Sequence, residues 1–346
     1  MLTFADYMER VLYGPAGYYS TGTARSGKSG DYFTAPDVGP VFGQLLAEIF
    51  ETWRAKLHTE SFSIMEAGAG EGRLAADILK SHPFPYIAVE RSPYRRGILK
   101  NLKEQFSSFE VCADFGALQG RKIQGVLFGN ELIDAFPVHR VQLKKGRLRE
   151  LFVEEKEGKK RFLWNDPSTP KLQSYLDRLG IVLPEGYETE INLAASDWLA
   201  AAADVLREGL ILLIDYGRPA HEYYAEERTR GTLRAFSKHK VSADFLDPSG
   251  AVDLTADVDF TSIVLDAENA GLTPLAFMEM GTFLMQGVAC MKEPNVLNPR
   301  ALKYLIHPEA MGSAFHVLIL GKGVQASDWI FEHNRLGRLR SAEKQK

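Results

Sequence analysis

Glu66-Ala67-Gly68-Ala69-Gly70-Glu71-Gly72 is the stretch that decides the fold. The apolar run Phe62 to Met65 leads into it, and a helix-like run, Leu74 to Leu79, leads out. That order is strand, glycine turn, helix. Glycines let a ligand approach bare backbone, and a helix N-terminus behind them favours a carboxylate or phosphate. The spacing is informative. A dinucleotide fingerprint requires G-x-G-x-x-G, which counted from Gly68 places its third glycine at 73. That position is Arg73; the glycines fall instead at 68, 70 and 72, with an acid at 66. A structural βα turn without a ligand is the plain alternative.

Outward from the turn, the βα rhythm continues. Candidate strands are Phe62 to Glu66, Tyr86 to Glu90, Phe109 to Ala113 and Gly125 to Gly129, with helical stretches Arg73 to Lys80 and Tyr94 to Gln105. The next buried strand is Leu210 to Ile214, and Leu275 to Met280 and Phe315 to Leu320 close the sheet. Alternating strands and helices predict an α/β, doubly wound, mainly parallel sheet. Residues 1–60 read as a helical and loop arm that covers the site, and 61–346 as the core, with insertions at 138–207 and 218–260. In the first insertion, Val138 to Phe152 alternates like a hairpin with Lys144-Lys145-Gly146-Arg147 at its tip; the second, Pro219 to Asp259, reads as polar loop.

The 346 residues are 45% hydrophobic and 25% charged, ordinary for a globular chain. A net charge of -4 supplies no field for nucleic acid, so no nucleic-acid partner is expected. Cys112 and Cys290 form no CxxC and read as buried thiols in a reduced compartment. The start, MLTFADYMERVLYG, reads as an amphipathic helix rather than a signal or transit peptide, and no membrane insertion is expected.

In open α/β sheets, ligands bind at the carboxyl ends of the strands. Those ends carry Glu66, Glu90, Asp114, Asn130-Glu131 and Asp215-Tyr216. Glu90 lies twenty positions after Gly70, where an acid accepts from ribose hydroxyls, and Asp114 is placed to accept from an adenine amino group. Singly, such acids are more often caps or solvated loop residues. The histidines show no metal-ligand spacing, so no metal is expected.

The strongest single motif is Gly129-Asn130-Glu131-Leu132-Ile133-Asp134-Ala135-Phe136-Pro137-Val138-His139. If its opening is helical, Glu131 and Asp134 are i,i+3 neighbours on one face, able to grip a planar guanidinium. The plain reading is a capped turn shaping a cofactor floor.

YGPAGYYS (13–20), GDYFTAPDVGPVFG (30–43), EAGAGEGRL (66–74), GNELIDAFPVHRV (129–141), LIDYG (213–217), GTLRAFSKH (231–239) and HPEAMGSAFHVLI (307–319) together resemble the MidA-type methyltransferases, which include the mitochondrial complex I assembly arginine methyltransferase. Acid-x-G-x-G-x-G is likewise the pattern of class I S-adenosyl-L-methionine (SAM) methyltransferases. The resemblance implies a class I, Rossmann-like methyltransferase fold, with insertions after strands 4 and 5, and SAM as cofactor. Glu66, Gly68, Gly70, Gly72, Glu90, Asp114 and Asn130 are then the expected cofactor-binding residues, and Glu131, Asp134 and His239 the expected catalytic ones. It further implies a protein substrate methylated on arginine, and, with no extension preceding MLTFADYMERVLYG, a bacterial cytoplasmic protein; a homodimer is left open. Asp31, Tyr32 and Phe33 are expected to lid the site. Standing beside this are a SAM-binding assembly chaperone without catalysis and methylation of a small molecule or RNA, because fold does not fix substrate.

Overall fold

A computed structural model describes residues 1–22, 33–59, 61–237, 240–242, 245–246 and 252–339. Its centre is a seven-stranded sheet: β1 (Phe62–Ala67), β2 (Tyr86–Val89), β3 (Phe109–Cys112), β4 (Ile123–Asn130), β5 (Leu206–Asp215), β6 (Thr273–Glu279) and β7 (His316–Lys322). The spatial order is β6-β7-β5-β4-β1-β2-β3. Strands β1 to β5 pair in parallel, and β7 runs antiparallel between β5 and β6. The expected doubly wound, mainly parallel sheet is therefore present.

The strands alternate faces, as a pleated sheet requires. Ile64, Val126, Phe128, Leu212 and Ile319 fill one core, against helices α2 (Val41–Leu57), α3 (Arg73–Ser81), α4 (Pro93–Gln105), α8 (Met280–Cys290) and α9 (Pro299–Ile306). Their sequence neighbours Met65, Leu127, Leu213 and Leu318 fill the other, against α6 (Ala194–Val205) and α7 (Phe260–Asn269). The sheet is thus covered on both faces, and its strands read as nearly continuous apolar runs.

Register is what aligns the strand ends. Ala67 stands opposite both Val89 and Gly129, Val89 opposite Cys112, and Ile214 opposite Asn130. The order reverses between β1 and β4, so the crevice of such a sheet opens there.

The remaining elements cap that edge. Leu2–Thr3, Arg147–Lys156, His139–Lys144 and Glu188–Ile191 form a second, antiparallel sheet, with Lys159–Asn165 paired to Arg147–Lys156. The hairpin expected with its tip at 144–147 is its centre. Helix α1 (Phe4–Tyr13), started by a capping box of Thr3 and Asp6, lays Phe4, Met8 and Leu12 onto Val138, Leu151 and Val153. A fifth helix, α5 (Lys171–Leu179), buries Leu172, Tyr175, Leu176 and Leu179 beside it.

One expectation needs correction, and one helix was not foreseen. The 219–259 insertion is not plain loop: it contains strands Arg234–Ser237, Lys240–Ser242 and Asp253–Thr255 in one small sheet, whose Ala235 and Leu254 join the α1 core. Helix α7 carries no amphipathic signal in the sequence because Phe260 to Val264 are all buried, which erases the polar face. Its local signal is the cap: Asp259 accepts from the Thr261 and Ser262 N–H groups at 3.0 and 3.2 Å. Among the described residues no helix is long and apolar enough to cross a membrane.

Candidate active site

A cavity of about 870 Å³ opens at the carboxyl edge between β1 and β4. It is within the size range of small-molecule and cofactor sites. The strand ends, the arm and the second insertion all contribute to its wall.

Gly68, Gly70 and Gly72 all adopt positive φ, at 74°, 57° and 81°. Their roles differ. A Cβ on Gly70 would meet nothing nearer than Arg95 Nη1 at 3.9 Å, so this backbone faces open cavity. A Cβ on Gly68 would lie 2.9 Å from Leu132 Cδ1. At Gly72 it would lie 2.5 Å from Leu102 and 2.6 Å from Leu99, side chains of α4. Gly72 does not line the cavity; it lets α3 start tight against α4.

Glu90, just past β2, accepts the Gly70 N–H at 2.9 Å and the Ser92 N–H at 2.7 Å. The acid twenty residues downstream thus holds the turn itself, and each oxygen keeps a lone pair for a hydroxyl. Glu66 is buried, and the Tyr86 hydroxyl donates to it at 2.7 Å. Burial pushes its carboxyl up to about 8, with Glu90 adding in the same direction against the Tyr86 hydrogen bond. Asp114 lines the cavity while capping the turn 115–118, accepting from the Ala117 N–H at 2.9 Å. Beside it Phe115 and Phe136 pack on Trp198 of α6, with ring centroids 6.0 and 6.2 Å away, giving this end apolar aromatic faces.

The Asn130–Asp134 segment is not helical. Glu131 adopts φ of 50°, which ends β4 in a left-handed kink, so the expected i,i+3 helix face does not exist. The loop is held from β5 instead. One oxygen of buried Asp215 accepts the N–H groups of Leu132 (3.2 Å), Ile133 (2.9 Å) and Asp134 (3.2 Å). The Glu131 N–H donates to the Ile214 carbonyl at 2.8 Å. Both carboxylates still reach the cavity wall. Burial, reinforced by Asp134, pushes Glu131 well above the carboxylate range, while Asn130 and the Ala35 N–H pull it down. Asp134 is pushed up to about 6 by burial, opposed chiefly by the Tyr216 hydroxyl, which donates to its Oδ2. Its Oδ1 and the Asn130 Oδ1 are buried with no hydrogen-bond partner. Buried acceptors without partners are uncommon, and these two leave lone pairs that a bound donor can fill.

The arm lies over this wall. Tyr13 and Tyr19 stack at 5.5 Å; Tyr13 donates to the Ala135 carbonyl at 3.0 Å and Tyr19 to Asp253 at 2.7 Å. Arg91 sits 4.0 Å over the Tyr13 ring and pairs with Glu9. Phe33 also lines the cavity, edge-on to Tyr304 at 6.1 Å. Asp31, Tyr32 and His239, the last expected as catalytic, lie outside the described residues.

The site thus brings together Glu66, Gly68, Gly70, Glu90, Asp114, Asn130, Glu131 and Asp134, and leaves Gly72 behind the turn. Sequence reasoning missed Asp37, Arg73, Trp198 and Asp253, which line the same cavity. Each comes from a separate element, and no local pattern links them. Among the described residues no cluster of metal-ligating side chains is present.

The residues present suit SAM: an open glycine backbone, an acid that holds the turn, an end with aromatic faces and a buried acceptor without a partner. Comparisons agree. Residues 45–278 match a family model described as "Putative S-adenosyl-L-methionine-dependent methyltransferase". The Drosophila melanogaster protein arginine methyltransferase NDUFAF7 homolog, mitochondrial, is 28% identical, over 93% of this chain and 82% of its own. The Homo sapiens protein arginine methyltransferase NDUFAF7, mitochondrial, is 27% identical, over 92% and 80%. A Burkholderia thailandensis protein whose crystal structure contains S-adenosyl-homocysteine (SAH) superposes with a TM-score of 0.83 and 29% identity, covering 94% of this chain and 88% of that one. The turn, the strand-end acids and a model spanning most of the chain converge: this protein belongs to the SAM-dependent methyltransferase family, and SAM is its cofactor.

Proposed function

We propose that the protein methylates a protein arginine. When bound, SAM supplies an electrophilic methyl group. What the chain itself does is bind and orient. Gly68, Gly70, Glu66, Glu90, Asp114 and Asn130 form the cofactor side, and Glu131 and Asp134 the acceptor side. The observation that carries the reading is on the acceptor side: Asp134 Oδ1, buried without a partner, next to Glu131. Such an arrangement suits a planar cation with several N–H donors, and a guanidinium is that group. Arginine stays protonated in water and is a poor nucleophile, so aligning one nitrogen and stabilising its charge would supply most of the acceleration. Burial keeps the Glu131 carboxyl protonated in the free protein; a bound guanidinium beside it would favour the charged form, which is then suited to accept the proton the methylated nitrogen sheds. The names of the relatives, protein arginine methyltransferases, support the same substrate.

The same proposal divides the chain into an arm, 1–60, and a core, 61–346, with insertions 138–207 and 218–260, and places it in a bacterial cytoplasm. The relatives are named as mitochondrial, and their location is not carried over. The test is labelled SAM added with the purified protein to an extract of cells lacking it, followed by mass spectrometry. Label on a protein arginine is the expected result. Label confined to RNA or small molecules overturns the substrate; no label with biological function preserved in Glu131→Gln points to a binding role instead.

A further inference from the structure

The glycine turn and Glu90 account for the middle of the cofactor site, and Asp114, Phe115 and Trp198 for its apolar end. That leaves the opposite end, between the turn, the arm and Glu131, for the cofactor's α-amino acid, which carries a carboxylate. Carboxyl groups line the wall there: Glu131 and Asp37 both border it. A carboxylate entering this end needs a cation held in place.

Arg73 is that cation. It is the first residue of α3, directly after the turn, and its side chain lines the cavity. Its Nη1 donates to Asp37 Oδ1. Asp37 is itself fixed, with a side chain only 1% exposed and its other oxygen accepting the Thr34 N–H and hydroxyl at 3.0 and 2.9 Å. Arg73 remains 56% exposed. A guanidinium has five N–H donors in a fixed fork, so a bond through Nη1 leaves donors on Nη2 and Nε. The other arginines of the cavity are engaged differently. Arg91 pairs with Glu9, Arg96 donates to the Glu90 and Arg91 carbonyls, and Arg234 pairs with Asp257 at 3.2 Å. Arg95 lies 4.8 Å over the Tyr19 ring, with its Nη1 3.9 Å from where a Cβ on Gly70 would sit.

We propose that Arg73 binds the α-carboxylate of SAM and that Asp37 is the positioning residue that holds its guanidinium. The position that denies this turn a dinucleotide fingerprint then selects the amino-acid end of its own cofactor. Because Asp37 belongs to the arm, the same pair ties arm placement to cofactor binding.

The experiment is calorimetry with two ligands, SAH and 5′-methylthioadenosine; the latter keeps the adenosine and sulfur but lacks the amino acid. The wild-type chain should prefer SAH. Arg73→Gln should weaken SAH at least about tenfold, the low end for hydrogen bonds to a charged group, and leave methylthioadenosine within about twofold. Asp37→Asn should act in the same direction by less, and Arg73→Lys should retain part of the preference. Arg95→Gln should leave the ratio unchanged. Equal weakening of both ligands in Arg73→Gln, no change in either, or collapse of the ratio in Arg95→Gln instead overturns the assignment. A wild type that does not distinguish the two ligands overturns it as well. The measurement needs no methyl acceptor, so its result is independent of the arginine proposal.

Discussion

Two glycines of one turn should fail in opposite ways. Gly70→Val adds a side chain at φ of 57°, where the first neighbour of its Cβ is Arg95 Nη1 at 3.9 Å. Nothing in the fold resists the added atoms, so the stability cost is that of a left-handed residue, about 1–2 kcal/mol. The two γ-methyls project into the volume reserved for the cofactor. Loss of SAH affinity should exceed about 100-fold, or about 2.8 kcal/mol at 1.4 kcal/mol per decade. Gly72→Ala is the mirror case. Its Cβ would lie 2.5 Å from Leu102 and 2.6 Å from Leu99, contacts that require both side chains to move. Overpacking of that kind costs about 1–3 kcal/mol, to which the positive φ adds about 1 more. Its methyl faces α4 rather than the cavity, so SAH affinity should stay within about threefold. The assays are urea unfolding for stability and calorimetry with SAH for binding, each on the folded fraction. Normal SAH binding in Gly70→Val would refute the cofactor assignment of the turn. Loss of SAH binding in a Gly72→Ala protein that remains stable would refute the division of roles.

Three further outcomes follow from the buried acids. Glu66 has its carboxyl raised from 4.5 to about 8, so folding takes up a proton between those values; its contribution is full below about 4.5 and is lost as pH rises to 8. Between pH 5 and 8 the ligand-free protein should lose about 3 kcal/mol from this group, and Glu66→Gln should flatten the profile in urea unfolding; an unchanged slope refutes the protonated state. Tyr216→Phe removes the hydroxyl that lowers Asp134, so the Asp134 carboxyl should titrate above its value of about 6 when followed by carbon-13 NMR, and a downward shift would contradict the hydrogen bond. Asp215→Ala leaves the N–H groups of Leu132, Ile133 and Asp134 without their acceptor and should cost about 2 kcal/mol or more in urea unfolding; a silent substitution would show that the loop is held by other contacts.

Much of this was legible because parallel strands buried on both faces leave strong local marks. Phe62 to Glu66, Gly125 to Gly129 and Leu210 to Ile214 are short apolar runs with turn signals behind them, and each is a central strand. Helix Lys171–Leu179 repeats leucine and tyrosine at helical spacing, and that stripe is the face it buries. Helix Phe260–Asn269 has no such stripe, since burial on most sides leaves no polar face to read. The expected helix at Glu131 failed for a different reason. Its spacing is compatible with a turn of helix, but Glu131 adopts φ of 50°, and Asp215, more than eighty residues away, holds the amides of Leu132 to Asp134 in a loop.

The sequence alone determined the class of fold, because a glycine turn between strand and helix, an acid twenty residues on, and acids at successive strand ends are local facts of chain order; its resemblance to a methyltransferase family pointed to the cofactor. Tertiary structure decided which of those residues share a cavity and how each is charged. Register aligns Ala67, Val89, Gly129 and Ile214 at one edge, and only that alignment makes separate strand ends into one wall. Burial then raises Glu66, Glu131 and Asp134 together, which no spacing encodes, since desolvation depends on what distant segments cover. The arm shows the same division. Its tyrosines were visible as a motif, but their places over Ala135 and Asp253, and the pairing of Asp37 with Arg73, exist only once the chain has folded back on its own turn.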